Sequence, residues 1–162
     1  MTLILNWLKN KLIEGENGII FNDGDSNSFS VIQDFIESCD RNFKTPVIYY
    51  QAFPEENAVE FLNTLGEELA SKLGNRQLSS QQSLFSTIQD AELKMILIDD
   101  CHLHPQDTLQ NLIDFFSACK VAVILIGCQN KMAIAQILNT TRDLNWDRLE
   151  TLDKCESIPE LR

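Results

Sequence analysis

The residues best suited to chemistry lie in one short segment, LKMILIDDCHLH (residues 93–104). Asp99 and Asp100 follow four apolar residues, a pattern typical of a buried strand that ends in two carboxylates. In a parallel sheet, the carboxyl ends of the strands form the edge at which ligands bind. Two acids there can orient a magnesium ion and polarise an attacking water. A strand that simply ends in two solvated acids would give the same pattern.

The same segment suggests a second chemistry. Cys101, His102 and His104 follow the acids, and thiolate, imidazole and carboxylate groups are ligands for zinc and other transition metals. A metal-dependent hydrolase built on these side chains is therefore one hypothesis. The C-H-x-H spacing matches no standard structural zinc pattern, so ordinary packing of the histidines is the alternative.

A phosphate-binding loop would be expected after the first strand, where the sequence reads IIFNDGDSNSFS (residues 19–30). Such a loop needs G-x-x-x-x-G-K-[ST], because its glycines let backbone N–H groups wrap the phosphates and its lysine neutralises them. In the register that keeps the final hydroxyl, the candidate nucleotide-binding residues are Asp23, Gly24, Ser28, Phe29 and Ser30. Neither this register nor the one a residue earlier supplies a lysine. The candidate loop is therefore degenerate.

Length and composition indicate one globular domain over residues 1–162, with 44% hydrophobic residues. No apolar run approaches the roughly 20 residues that span a bilayer, so no membrane association is expected. The net charge is −11 and the 13 basic residues are scattered, so we expect no direct nucleic-acid binding. The five cysteines are odd in number and widely spaced, which is typical of reduced thiols in a cytoplasmic protein.

Hydrophobic periodicity predicts alternating strands and helices. The predicted strands are 18–21, 46–50, 95–98, 121–127 and a short one near 149–152. The predicted helices are 1–14, one that begins at a capping Ser30 with Gln33 completing a capping box, 55–73, 81–91, 105–118 and 130–139. Residues 1–14 form an N-terminal helix with Leu5, Leu8 and Leu12 on one face, 15–139 the core and 140–162 a polar tail. The aromatic residues Trp7, Trp146, Tyr49 and Tyr50 are expected in or near the core.

Strands rich in Val, Ile and Leu that alternate with helices favour a parallel sheet covered on both faces. Right-handed crossovers then produce a doubly wound arrangement. The predicted fold class is therefore α/β, a three-layer doubly wound sandwich with a mostly parallel sheet of about five strands.

The order of these segments resembles that of P-loop AAA+ ATPases of the TniB/TnsC type, which regulate DNA transposition. TPVIYYQAFPEENAVEFLNTLGEELASKLG (45–74) is similar to that group's second strand and following helix. LKMILIDDCHLH is similar to its "IIDExH" strand, and VAVILIGCQNKM (121–132) to its sensor strand. The resemblance covers residues 15–139 and rests mainly on the order of the motifs.

The resemblance implies ATP and magnesium, with Asp99 as the metal ligand and Asp100 as a vestigial second acid. Gln129 or Asn130 would occupy the sensor position. The helical lid of the family is absent or reduced to residues 140–162. Arg142 and Arg148 are late arginines that could act as trans-acting fingers in a neighbouring subunit, and ordinary surface pairing is the alternative for them.

Without the lysine, we expect no ATP hydrolysis and no resident cofactor. The leading hypothesis is a non-hydrolysing, P-loop ATPase-like domain that acts as a regulatory or protein-interaction module with an unidentified protein partner. A link to DNA transposition comes from the resemblance alone. The alternatives are a divergent nucleotide-binding switch or weak ATPase, and the metal-dependent hydrolase. A homo-oligomer is also open, because AAA+ relatives form rings.

Overall fold

The computed structural model describes residues 2–22, 26–39, 46–72, 81–128, 131–142, 144 and 146–150. The helices are α1 (Thr2–Glu14), α2 (Ser26–Cys39), α3 (Ala58–Lys72), α4 (Gln81–Ala91), α5 (Gln106–Ala118) and α6 (Lys131–Thr141). The strands are β1 (Gly18–Asn22), β2 (Val47–Gln51), β3 (Met95–Asp99), β4 (Ala122–Cys128) and β5 (Asp147–Glu150). A short 3₁₀ turn, Cys101–Leu103, follows β3. Within the described ranges, no helix is long and apolar enough to span a bilayer.

The five strands form one sheet in the order β2-β3-β4-β1-β5, and every neighbouring pair is parallel. Helices α1 and α2 contribute to the apolar cluster on one face, and α3 to α6 contribute to the cluster on the other. The predicted α/β sandwich with a parallel, five-stranded sheet is confirmed.

Side chains alternate across the sheet as the strand geometry requires. In β1, Ile20 packs in the cluster formed with α1 and α2, whereas Ile19 and Phe21 pack in the cluster formed with α3 to α6. In β3, Met95 and Leu97 alternate in the same way with Ile96 and Ile98. Burial of both faces explains why these strands read as continuous apolar runs.

Two predicted helix starts are wrong. Helix α2 begins at Ser26, so Ser30 is an exposed residue inside the helix and cannot cap it. Ser and Asn are favoured both in turns and at the start of a helix, and composition alone did not separate the two. Helix α3 begins at Ala58 rather than at residue 55.

Helix α3 starts where a reciprocal capping box forms. The Glu60 amide donates to Asn57 Oδ1 at 2.8 Å, and the Asn57 amide donates to Glu60 Oε1 at 3.1 Å. Two amides that the helix leaves without partners are thereby satisfied. Strand β5 exists as predicted but begins at Asp147, two residues earlier than expected.

Helix α1 is attached to both β1 and β5. Its predicted apolar face is confirmed, with Leu8 fully buried beside Ile4. Trp7 lies over Gly18, where any side chain on the strand would collide with the indole. Lys11 Nζ pairs with Asp147 at 3.0 Å. The first helix therefore fixes the position of the edge strand.

Candidate functional site

The acid pair lies at the carboxyl end of β3, inside the sheet rather than at its margin. Asp99 is in register with Gln51 of β2 on one side and Ile126 of β4 on the other. Asp99 and Asp100 are both partly buried. The prediction that the two acids follow the carboxyl end of a buried, parallel strand is therefore confirmed.

Both oxygens of the Asp99 carboxylate already accept hydrogen bonds. Tyr49 Oη, from β2, donates to Asp99 Oδ2, and the amide of Asp100 donates to Asp99 Oδ1 at 2.8 Å. Burial raises the pKa of Asp99 above its ordinary value of 3.8, and the Asp100 charge adds to the rise while the Tyr49 bond opposes it. Burial, together with the bond to Asp99, also raises the pKa of Tyr49, so its hydroxyl stays protonated and donates.

Asp100 is also turned back towards β2. Its φ of 53° is left-handed, a conformation in which Asp is enriched, and it turns the chain out of β3 into the 3₁₀ turn. Gln51 Nε2 donates to Asp100 Oδ2 at 2.8 Å. Tyr49 and Gln51 are two residues apart and share one face of β2. A single strand therefore supplies a side-chain partner to each of the two acids.

A second polar cluster forms around His104, which follows the 3₁₀ turn after β3. His104 is fully buried, and its Nε2 lies 2.9 Å from Glu56 Oε1. Because a carboxylate only accepts, His104 Nε2 donates this bond. Tyr50 Oη donates to the other oxygen of Glu56 at 3.3 Å, and Thr108 Oγ1 donates to the Glu56 carbonyl at 2.9 Å. The rings of Phe61 and His104 pack in a T-shaped arrangement with a centroid distance of 5.6 Å.

This cluster joins four parts of the fold. Glu56 belongs to the connection between β2 and α3, whereas His104 follows the 3₁₀ turn after β3. Thr108 lies in the first turn of α5, and Gln136 of α6 donates its Nε2 to the His104 carbonyl at 3.1 Å. The pair of Glu56 and His104 is therefore a structural junction between these four parts.

The described structure does not bring the side chains of residues 99–104 together as a metal-binding cluster. Cys101 is fully buried in the apolar cluster shared with α3 to α6, and His104 is directed inward at Glu56. Within the part of the chain that the structure describes, no three His, Cys, Asp or Glu side chains are arranged to hold a metal ion. The histidine packing that was the alternative explains His104.

For most residues of the predicted phosphate loop and sensor, the structure describes either no position or no side chain. Asp23 and Gly24 fall in the gap before α2, and the side chains of Ser28 and Phe29 are not described. Gln129 and Asn130 also lie outside the described residues. Their predicted roles therefore stay predictions.

Three residues of the site were not predicted from the sequence. The sequence predicts Tyr49 in or near the core and indicates no role for Gln51 or Glu56. The i, i+2 spacing of Tyr49 and Gln51 at the end of β2 was a usable signal, since it puts two hydrogen-bonding side chains on one face. Using it requires knowing that β2 lies beside β3, which depends on the strand order.

The fold and the position of its acid pair define a P-loop NTPase-like α/β domain. A model described as the AAA domain matches residues 2–133, and the chain belongs to this family. The AAA+ prediction is thereby confirmed, whereas the match does not distinguish the TniB/TnsC type. No curated protein matches the sequence.

Solved structures share the fold. Drosophila ORC bound to poly(dA/dT) DNA and Cdc6 has a TM-score of 0.72 at 12% identity, over 98% of this chain and 30% of that one. Cdc6p from Pyrobaculum aerophilum has a TM-score of 0.57 at 15% identity, over 88% and 41% of the two chains. Drosophila ORC bound to AT-rich DNA and Cdc6 has a TM-score of 0.55 at 11% identity, over 97% of this chain and 58% of that one. At these identities the similarity shows the fold alone, and this chain spans 30% to 58% of their lengths.

AAA+ relatives normally bind ATP and magnesium, but the residues of this site fit that ligand poorly. A magnesium-orienting acid must direct a carboxylate oxygen towards the metal and its waters. The oxygens of Asp99 accept from Tyr49 and from the backbone instead. The segment 19–30 also lacks the lysine that would neutralise the phosphates.

Proposed function

We propose that this chain is a non-hydrolysing AAA domain that acts as a regulatory or protein-interaction module. The observation that carries the proposal is the engagement of the acid pair by β2. Tyr49 donates to Asp99 and Gln51 donates to Asp100, so the polar end of β3 serves to join two strands. The Ala52 amide continues this junction, since it donates to the Asp99 carbonyl at 2.9 Å.

The missing lysine supports the proposal independently. Neither register of residues 19–30 supplies it, and Asp23 and Asp25 would add negative charge near a triphosphate. Two like charges at about 4 Å repel by roughly 1–4 kcal/mol, depending on the local dielectric. The engagement of the acid pair and the missing lysine together argue against ATP hydrolysis more strongly than either observation does alone.

The proposed partner is a protein, within an assembly that acts on DNA. The solved ORC structures that share this fold are bound to DNA and Cdc6. The motif order of the TniB/TnsC group supports a more specific role in DNA transposition. Because its net charge is −11, the domain would join such an assembly through contacts with protein rather than by binding the phosphate backbone of DNA. The proposed location of the domain is the cytoplasm.

The first test measures thermal unfolding and phosphate release with magnesium and millimolar ATP, ADP, GTP or GDP. We expect no nucleotide-specific shift and no turnover. A ligand at 100 times its dissociation constant would add about 2.7 kcal/mol, or several degrees. Magnesium-dependent turnover that is lost in Asp99→Asn but kept in Asp107→Asn, an exposed acid on α5, would overturn the proposal. Binding without turnover would favour the nucleotide-binding switch.

The interaction role needs its own test. The expected result is a complex of fixed stoichiometry with a defined protein, isolated from cells that express this chain and rebuilt from the two purified components. Its formation should not depend on added nucleotide. A complex that forms only with ATP and magnesium would contradict the proposed mode of action.

A further inference from the structure

A cleft lies between the end of α6 and the edge strand β5, towards the N-terminal ends of the strands and away from the acid pair. Its volume is about 410 Å³, within the range of pockets that take small ligands. Apolar side chains and polar groups share its walls. The lining residues that matter here are Ile19, Leu138, Asn139, Arg142, Trp146 and Arg148.

The strand geometry separates Arg148 from the acid beside it. Arg148 is in register with Ile19, and both residues line the cleft. Asp147 lies on the opposite face of β5, where its Oδ2 accepts from Lys11 Nζ at 3.0 Å and from Trp7 Nε1 at 3.2 Å. The Lys11 hydrogen bond holds the pKa of Asp147 below its ordinary value. This carboxylate is therefore engaged by α1 and does not neutralise the cleft.

The cleft thus holds two cations in an acidic chain. Arg142 follows the last turn of α6, Arg148 lies in β5, and both are exposed. Across the described ranges, no carboxylate forms an ion pair with either guanidinium. Guanidinium groups recognise carboxylates and phosphates through paired, charge-assisted hydrogen bonds. The polar half of the cleft therefore has groups suited to an oxyanion.

The other half of the cleft is lined by apolar side chains. Trp146 and Leu138 are partly buried, and both pack against the apolar cluster that includes Ile19. An aromatic wall beside a cationic rim suits a ring that carries a negative group. We propose that this cleft binds a small oxyanion with an aromatic or apolar body, either a phosphate monoester or a carboxylate. This site goes beyond the proposed function and uses none of the residues at the end of β3.

Trp146 provides a direct reporter. The chain has two tryptophans, so Trp7→Phe leaves Trp146 as the only indole. Its fluorescence is titrated with phenyl phosphate, phenylacetate, inorganic phosphate and, as a neutral ring, benzyl alcohol. We expect a saturable change with a ring-bearing anion, about tenfold weaker binding in Arg142→Gln and in Arg148→Gln, and no change in Lys9→Gln. Lys9 is exposed on α1 and does not line the cleft.

Calorimetry of the wild-type chain with the same four compounds keeps the test valid if the Trp7→Phe variant folds poorly. Tighter binding of phenyl phosphate would assign a phosphate monoester, and tighter binding of phenylacetate would assign a carboxylate. The proposal is overturned if neither anion binds saturably, if benzyl alcohol binds as tightly as both, or if the Lys9 variant weakens binding as much as the arginine variants do. None of these outcomes depends on whether the chain binds ATP.

Discussion

At the scale of single residues, Asp99 must ionise in a partly buried position beside a second carboxylate. Burial raises its pKa above the ordinary value of 3.8, so the folded chain holds this proton more tightly than the unfolded chain does. Such a group contributes stability below its unfolded pKa, and the contribution is lost as the pH rises through the folded pKa. The ionised form of Asp99 therefore opposes folding near neutral pH.

We predict that Asp99→Asn gains stability relative to wild type as the pH rises from about 4 to about 8. The amide keeps an acceptor for Tyr49 but cannot ionise. The quantity to measure is the difference in unfolding free energy between variant and wild type, from urea titrations at several pH values. Asp107→Asn, an exposed acid on α5, should give no such rise. If the difference in unfolding free energy between Asp99→Asn and wild type does not change with pH, the ionised Asp99 does not oppose folding and the prediction is wrong.

His104 makes a different contribution, because removing it leaves a partner behind. Glu56 keeps a side chain that is only 10% exposed, with the longer bond from Tyr50 as its remaining side-chain contact. We predict that His104→Ala destabilises the fold by about 2–4 kcal/mol. Glu56→Gln, which retains a hydrogen-bonding group, should cost less than half as much.

Urea denaturation measures both effects. Glu67→Gln is the matched control, since Glu67 is exposed on α3, and it should stay within about 0.5 kcal/mol of wild type. A loss below about 1 kcal/mol for His104→Ala would mean that Glu56 finds other partners and that the junction is not structural.

These residues show what the sequence could and could not predict about the site. The apolar run before Asp99 placed the acids at a sheet edge correctly, because that inference needs only local periodicity. Their partners, Tyr49 and Gln51, come from a strand about 50 residues away along the chain, and only the strand order brings them close. The sequence around His104 is compatible with both metal coordination and core packing, and only its burial against Glu56 distinguishes the two roles.

At the scale of elements, the contact between α1 and β1 depends on a residue without a side chain. A Cβ placed on Gly18 would lie 2.8 Å from Trp7 Cζ2 and closer still to Cη2. The indole is rigid and is held at its nitrogen by Asp147. A larger residue in β1 would therefore push α1 away from the sheet.

We predict that Gly18→Ala costs about 1–3 kcal/mol through overpacking. Trp7→Leu introduced into the same chain should relieve part of that cost, because the shorter side chain leaves room for the methyl group. Thermal or urea unfolding of the two single variants and the double variant gives the coupling between the positions. Purely additive effects would show that Trp7 does not set the limit at Gly18.

Element boundaries were predicted less well than element types, and the causes are local. The start of α3 was recoverable from Asn57 and Glu60, whose N-x-x-E spacing is a capping-box pattern. The start of α2 was not, because Ser26 and its polar neighbours suit a turn and a first helical turn equally. The strand order follows from right-handed crossovers only once the face of each helix is known.

At the scale of the whole molecule, the net charge of −11 is borne by a domain of 162 residues. Much of the acidity is on exposed surface, and residues such as Glu14, Glu37 and Glu67 are all exposed. Like charges repel in the compact state and are farther apart in the unfolded chain. At an ionic strength of 0.1 M, added salt screens the repulsion between exposed charges that are more than about 10 Å apart. The screening distance becomes shorter as the salt concentration rises.

We therefore predict that raising NaCl from about 0.01 M to about 0.5 M increases the melting temperature by roughly 2–4 °C, equivalent to about 1 kcal/mol for a domain of this size. Scanning calorimetry at fixed pH measures the shift. Replacing Glu14, Glu37 and Glu67 together by Gln lowers the negative charge by three, and this variant should respond less to salt than the wild type. An unchanged or falling melting temperature in the wild type would mean that ion pairs such as that of Lys11 and Asp147 outweigh the net repulsion, since salt weakens them as well.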